Sequence, residues 1–436
     1  MRKLRVYIEI KGTEEYVGTI TGNSASDAFF QYNENALDKK LRISLSLPLQ
    51  AEPFSPERTR NFFEGLLPEG FTRRSVSQWM HVDENDYLSI LAGLGKECLG
   101  AVMITDDEDP TPSLADYRPL SAEEVRSLAA EGASSAASIV VRSHLSLAGA
   151  SGKAGLYYND TQKKWYQPIG TAPSTHIVKQ SHVRLLHVVI NEQLSLLTAK
   201  NIGLPVPGSF ILSTVDRKEA GDSDILLATK RYDRTLKDSV KCIRGCPCPL
   251  RLHQEDLAQA MGIPAAMKYE NKLPAATAQP GREGSYLARI FNLIRAYSDR
   301  PIQDMVTLLD LQIFNVLLGN TDNHIKNISL FYSSDLTRVH LAPVYDLLCT
   351  QIYPGSAEEM SIAIAGVTDL HRITLQTFLD AADEIGMQKS MIRREYDRIH
   401  AQFVPALQKA EEELAASGMP MTEEIAERIM QLSRLS

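Results

Sequence analysis

The sequence contains no apolar run near the ~18 residues that mark a candidate membrane-spanning helix. Its opening, "MRKLRVYIEIKGTEE", has a basic flank but lacks the apolar stretch of a signal peptide, so a cytoplasmic chain with no membrane partner is expected. Cysteine is scarce. Five in 436 residues, an odd number, suit a reduced compartment better than a disulfide framework. Cys242, Cys246 and Cys248 fall in "CIRGCPCP", but no paired CxxC accompanies them and His253 is the only nearby histidine. A loop with free thiols is a plainer reading than zinc. His176, His182 and His187 share no helical or strand spacing and read as ordinary polar positions. An excess of positive charge is also missing. The formal net charge of −8 argues against broad, unaided binding to nucleic acid or anionic membrane, although a local basic patch would survive the average. No internal repeat occurs.

What is present is core material. With 44% hydrophobic and 23% charged residues the composition is globular, and 436 residues exceed one ordinary core, so two or three domains are expected. Residues 1 to about 50 read as β-rich, with strands at "LRVYIEI", "YVGTI" and "RISLSLPL". "SPERTRNFFEGLL" has a Ser–Pro helix entry, and "ECLGAVMIT" returns to strand. "DDEDPTPSLADYRPLSAEE" reads as an acidic, proline-rich linker into a short helix. "IVVRSHLSLAGASGKAGLYYN" reads as strand, small-residue loop and strand, and further strands follow at "KKWYQPIG", "THIVKQ", "SFILST" and "DILLATKRYDR", with "LHVVINEQLSLLTAKNIGL" an amphipathic helix ending at Gly203. Beyond residue 250 or so helices dominate. "PIQDMVTLLDLQIFNVLLG" has Pro301 at its start and Gly319 at its end, the expected asymmetry. The fold class is therefore α+β, a β-rich half followed by a mostly helical one, with a cleft between them for a small ligand.

That buried helix ends in "GNTDNHIKN", a cluster of polar groups. A surface turn would use such residues too. The spacing points further: Asp322 precedes Asn327 by five residues, and Asp346 lies 19 beyond Asn327, after a predicted hairpin. Phosphoryl transfer needs a cation on the phosphates, an acid to pin it, a carboxylate to orient the attacking hydroxyl, and oxygen ligands for a metal. Lys179 ends a predicted strand and Glu192 lies on the next helix, the order of a kinase lysine–glutamate pair; either alone would read as a surface charge. Asp322 would then orient the acceptor hydroxyl, Asn327 and Asp346 would bind Mg²⁺, and His324 and Lys326 would lie beside the phosphates. A bare DxxxxN is common by chance; at a helix end, followed by a hairpin and an acid, it says more. "LSLAGASGKAGL" is not a Walker A loop, and reads either as a glycine-rich lid with Lys153 on the phosphates or as a plain hairpin.

"LSLPLQ", "NFFEGLLPEG", "LSLAGASGK", "THIVK", "YDR", "QEDLAQAMGIP" with "KYE", "GNTDNHIKN" and "PVYDLL", in this order over nearly the whole chain, resemble the HipA family of toxin serine/threonine kinases. The resemblance implies a two-lobed, protein-kinase-like fold. Residues 1–135 would be an extra N-terminal α/β subdomain with its linker, 136–233 the kinase N-lobe with its lid, and 234–436 the helical C-lobe. It implies ATP and Mg²⁺ as cofactors, with Asp322 as catalytic base, Asn327 and Asp346 as metal ligands, and Lys179 on an ATP phosphate. Lys153, His324 and Tyr345 would flank the nucleotide, and Lys230 to Tyr232 would form the adenine hinge. Ser146 would be the autophosphorylation site, with Ser151 as an alternative. The implied partners are a HipB-type DNA-binding antitoxin, through which alone DNA is met, and an aminoacyl-tRNA synthetase substrate, glutamyl-tRNA synthetase being the typical one. Two departures stand out: Lys230 replaces a hinge glutamate of the best-known form, and the lid reads Ala-Ser-Gly-Lys in place of Ala-Gln-Glu-Lys. A small-molecule kinase and an ATP-binding pseudokinase acting as co-repressor are the rival readings.

Overall fold

The structure, a computed structural model, describes residues 1–106, 115–130, 153–180, 185–270 and 284–433. Alternating apolar residues build the first sheet from β1 (Arg2–Ile10), β2 (Thr13–Gly22), β3 (Phe29–Tyr32) and β4 (Val102–Asp106), in the order β3-β2-β1-β4 with all pairs antiparallel. Leu4, Val6 and Ile8 alternate inward along β1, as one buried face of a pleated strand requires. Ser55 caps the following helix, Pro56–Phe63, with Pro56 in its first turn. The stretch "RISLSLPL" is not a strand. Ser44 Oγ and the Leu45 amide are instead drawn to the Glu255 carboxylate of the distant C-terminal half, at 2.6 and 2.9 Å, so its backbone serves a docking contact and not a ladder.

The second sheet has six antiparallel strands in the order β5-β7-β6-β8-β10-β9. These are β5 (Asp116–Pro119), β6 (Lys153–Asn159), β7 (Lys164–Ile169), β8 (His176–Gln180), β9 (Ser209–Ser213) and β10 (Ile225–Lys230). Part of the expected linker is thus an edge strand: "DYRP" pairs with β7, and Val125 and Leu128 of the next helix pack on Leu156, Trp165 and Val178. Residues 116–128 therefore associate with this sheet and not with the first. The Val188–Ile202 helix is not amphipathic either. Asn191, Glu192, Gln193, Ser195 and Thr198 are buried with its apolar residues, because the helix lies between the sheet and the Lys389–Ala416 helix.

The helical half centres on Pro301–Leu318, capped at its C-terminus by left-handed Gly319. One continuous apolar core runs from Leu4 and Phe30 of the first sheet through Phe291 and Phe314 to Phe403. The cysteine hairpin (Cys242–Ile243 with Cys246–Pro247) buries Cys246 and Cys248 against Tyr117, Tyr157 and Tyr166. No metal-holding group of His, Cys, Asp or Glu occurs among the described residues. Of the three histidines, His176 is buried in β8, His187 precedes the Val188–Ile202 helix, and His182 lies outside the described residues. No described helix is long and apolar enough to cross a membrane.

Glu255 is expected to make the docking of the first unit pH-dependent. Its carboxylate accepts from Ser44, Leu45 and Tyr332, yet burial outweighs these donors and pushes its pKa from 4.5 up to about 7. A carboxyl raised on folding holds its proton more tightly in the folded state. Its contribution is fully present below about 4.5 and is lost as pH rises through 7. Thermal melts are expected to show wild type losing stability relative to Glu255→Gln over that window. Parallel pH profiles for the two proteins would remove Glu255 as the cause.

Candidate active site

The cleft between the second sheet and the helical half encloses about 970 Å³, its open mouth included. Its upper wall is β6 and β8, where Lys153 and Lys179 are cross-strand partners in an antiparallel pair and so share one face. Lys179 Nζ donates to Glu192 Oε1 at 2.6 Å and to Asp346 Oδ1 at 2.5 Å. Burial opposes the Lys179 charge, but the two carboxylates more than offset it and hold the ammonium above the ordinary lysine range. Burial also opposes the Asp346 charge, and Lys179 with Lys153 overrides it, keeping that carboxyl well below the usual range. Asp346 has φ +57°, a left-handed backbone that Asp tolerates better than most residues. Lys153 differs: burial dominates and pulls its pKa down, with Asp346 and Glu192 opposing.

The lower wall is the loop after Gly319. Its polar residues are consumed by the core. Asn320 Nδ2 donates to Asn315 Oδ1 at 2.9 Å, and Ser361 Oγ donates to the Thr321 carbonyl at 2.6 Å. The Asp322 carbonyl accepts from the His324 amide at 2.8 Å and from Asn327 Nδ2 at 3.1 Å, which leaves the Asp322 side chain exposed at the turn. The strand Ser329–Tyr332 then pairs with Gln254–Asp256 and Val339–Leu341, so both ends of the loop are clamped. Burial, then the Lys268 ammonium, pushes the His324 imidazole down to about 3, leaving it neutral, and its Nδ1 is buried with no partner among the described residues.

Lys179, Glu192 and Asp346 are thus brought into direct contact, and Lys153, His324 and Asn327 line the same cleft. Tyr345 stacks on Tyr232, their ring centroids 6.1 Å apart, and its hydroxyl donates to the Lys326 carbonyl at 3.1 Å. Lys230 ends β10 with an exposed side chain, and its amide donates to the Gly208 carbonyl at 2.7 Å. Lys326 also lines the cleft, with its ammonium tied to Asp256 Oδ2 at 2.8 Å and the Gly65 carbonyl at 2.9 Å. Ser146 and Ser151 lie outside the described residues.

Sequence reasoning missed several neighbours. Glu69, from the N-terminal unit, lines the cleft and binds Lys268 at 2.7 Å. Arg231, Arg234 and Arg251 meet Glu9, Glu97 and Asp233 in a buried network, three cations against three anions. No spacing rule announces such a network, since Arg231, Asp233 and Arg234 are near neighbours but Glu9, Glu97 and Arg251 come from elsewhere in the chain. Tyr269 lies in the "KYE" stretch that carries the family resemblance, which assigns it no role. An oxygen-rich donor set of Asn327 and Asp346 fits a hard cation, and two lysines on one face with an unpartnered buried imidazole fit a polyphosphate.

The HipA-like C-terminal domain profile matches residues 145–407 and the HipA N-terminal domain profile residues 8–105. The putative kinase Y4mE of Sinorhizobium fredii is 32% identical over 386 residues, covering 87% of this chain and 85% of its own. The serine/threonine-protein kinase toxin HipA of Shewanella oneidensis is 26% identical over 394 residues, covering 90% of this chain and 86% of its own. A solved Shewanella oneidensis complex of HipA, HipB and operator DNA matches the fold with a TM-score of 0.77, at 22% identity, over 99% of this chain and 96% of that one. With profiles matching both of its halves, a relative above 30% identity along most of its length and the two-lobed α+β fold, the chain belongs to the HipA family of kinases.

Proposed function

We propose that the chain is an ATP-dependent serine/threonine kinase acting as the toxin of a type II toxin–antitoxin pair. Its substrate would be an aminoacyl-tRNA synthetase, glutamyl-tRNA synthetase first among them, whose modification would halt translation and arrest growth or cause persistence. A HipB-type protein would be its antitoxin. The observation that carries the kinase reading is Lys179 Nζ held between Glu192 and Asp346, across the cleft from the Asp322–Asn327 loop. Lys179 and Lys153 would hold the phosphates, with Tyr232 and Tyr345 at the adenine end. Asp322 would orient the acceptor hydroxyl and accept its proton. Asn327 and Asp346 would hold Mg²⁺, which when bound neutralises charge on the transferring phosphoryl group. Substrate and antitoxin rest on the family alone. Incubation with γ-labelled ATP and a bacterial lysate is the test: label in protein supports the reading, label only in small molecules favours a small-molecule kinase, and none favours a pseudokinase. Mapping phosphate after brief induction names the target.

Asp346→Ala is expected to lose the gain in ATP affinity that Mg²⁺ provides, by tenfold or more (about 1.4 kcal/mol), measured by calorimetry with and without the metal. An undiminished gain would remove Asp346 as a ligand. We also propose that autophosphorylation of Ser146 silences the kinase: it adds about −1.5 to −2 charges, which would repel a bound nucleotide's phosphates. Peptide mass mapping after incubation with Mg-ATP is expected to find that phosphate on Ser146. Phosphate on Ser151 alone would move the switch there.

A further inference from the structure

Asp322 is not alone at its turn. The Tyr269 hydroxyl donates to Asp322 Oδ1 at 2.8 Å. The phenol arrives from another part of the chain, in the tripeptide Lys268–Tyr269–Glu270, and each of the three side chains ties a different body together. Lys268 Nζ binds Glu69 Oε2 of the N-terminal unit at 2.7 Å. Glu270 accepts from the amides of Tyr286 at 2.8 Å and Ala363 at 2.9 Å, fixing a helix start and a hairpin strand. Tyr269 itself is gripped by its ring. His324 meets it edge-to-face with centroids 5.0 Å apart and planes at 82°, and Lys268 Nζ lies 5.3 Å from its centroid. A phenol held so firmly cannot follow a carboxylate that swings; the carboxylate must stay with the phenol. A carboxylate has about four lone-pair sites, so accepting from Tyr269 is compatible with accepting from an acceptor hydroxyl as well.

We infer that Tyr269 is a positioning residue for phosphoryl transfer: its hydroxyl holds the exposed Asp322 carboxylate in a rotamer that presents a lone pair to the acceptor hydroxyl. The inference rests on the reading of Asp322 as the base. Burial, followed by the Asp322 charge, raises the phenol pKa, so Tyr269 stays a donor across the physiological range. Loss of this bond would widen the range of rotamers open to the carboxylate, and misplacement of a reacting group is costly.

The test is Tyr269→Phe, which deletes one oxygen and keeps the ring contacts. Label transfer from γ-labelled ATP into the proteins of a bacterial lysate is followed at varied ATP, alongside Mg-ATP binding and thermal melting. The expected result is a maximal rate down about tenfold (about 1.4 kcal/mol), with the KM for ATP, the ATP affinity and the melting temperature unchanged. A merely structural phenol would move the melting temperature or the KM instead, and that outcome overturns the inference. So does a rate within twofold of wild type, or one that rises, which would make the phenol an obstacle in the acceptor's place. Asp322→Ala measured in parallel separates the two ideas. If it retains wild-type transfer, the reading of the base falls; if it is inactive while Tyr269→Phe is normal, only the role of Tyr269 falls.

Discussion

Replacing Asp322 with alanine is expected to lower phosphoryl transfer by about 10²–10⁴-fold, the usual worth of a positioned general base, while the protein stays folded. The second half of that expectation comes from the loop's construction. The Asp322 backbone carbonyl, not its side chain, receives the His324 amide and the Asn327 side chain. The carboxylate is exposed, and the bond it accepts from Tyr269 can be replaced by water. Mg-ATP affinity should change little, because Lys179 and Asp346 meet across the cleft without Asp322. Initial rates with labelled ATP, together with a thermal melt, check both halves. A variant within tenfold of wild type would show that another group takes the proton.

Glu97→Ala is expected to cost about 3–5 kcal/mol of stability, the penalty for stripping the partner from buried charge. Glu97 accepts from Arg231 at 3.0 Å, Arg234 at 2.9 Å and Arg251 at 2.7 and 2.9 Å, all in the interior. Its loss leaves three guanidinium groups facing two carboxylates, Glu9 and Asp233, in a space that water does not reach. The loss should extend beyond stability. Arg231 lies within the segment lining the cleft proposed to take ATP, so ATP affinity should fall at temperatures where the variant is still folded. Urea unfolding and ATP calorimetry measure the two effects. A change below about 1 kcal/mol would mean that the network adds little net energy, as buried ion pairs sometimes do.

How much of this was legible in the sequence depends on the range of the interaction. The strands carrying Lys153 and Lys179 follow from local alternation, and the end of the Pro301–Leu318 helix from its glycine. The misreadings share a cause. "RISLSLPL" alternates like a strand, but its polar groups answer to Glu255, more than two hundred residues away. The Val188–Ile202 helix carries polar residues that suggest a wet face. Asn191 instead donates to the Cys349 carbonyl at 2.9 Å and Glu192 accepts from Lys179, so its polar side is as buried as its apolar side.

The sequence by itself determined the α+β class, the order of the lobes, and a set of candidate residues whose types suit phosphoryl transfer. These are properties of short windows, where side-chain period, caps and turn residues act on the nearest few positions. The tertiary structure alone decided that the N-terminal unit shares one core with the helical half and lends Glu69 to the cleft. It also decided that Lys326 is tied to Asp256, that three arginines share a buried network with Glu9, Glu97 and Asp233, and that Tyr269 reaches Asp322. Each of these joins residues with no common window, and a buried charge reveals its partner only once the chain has closed around both.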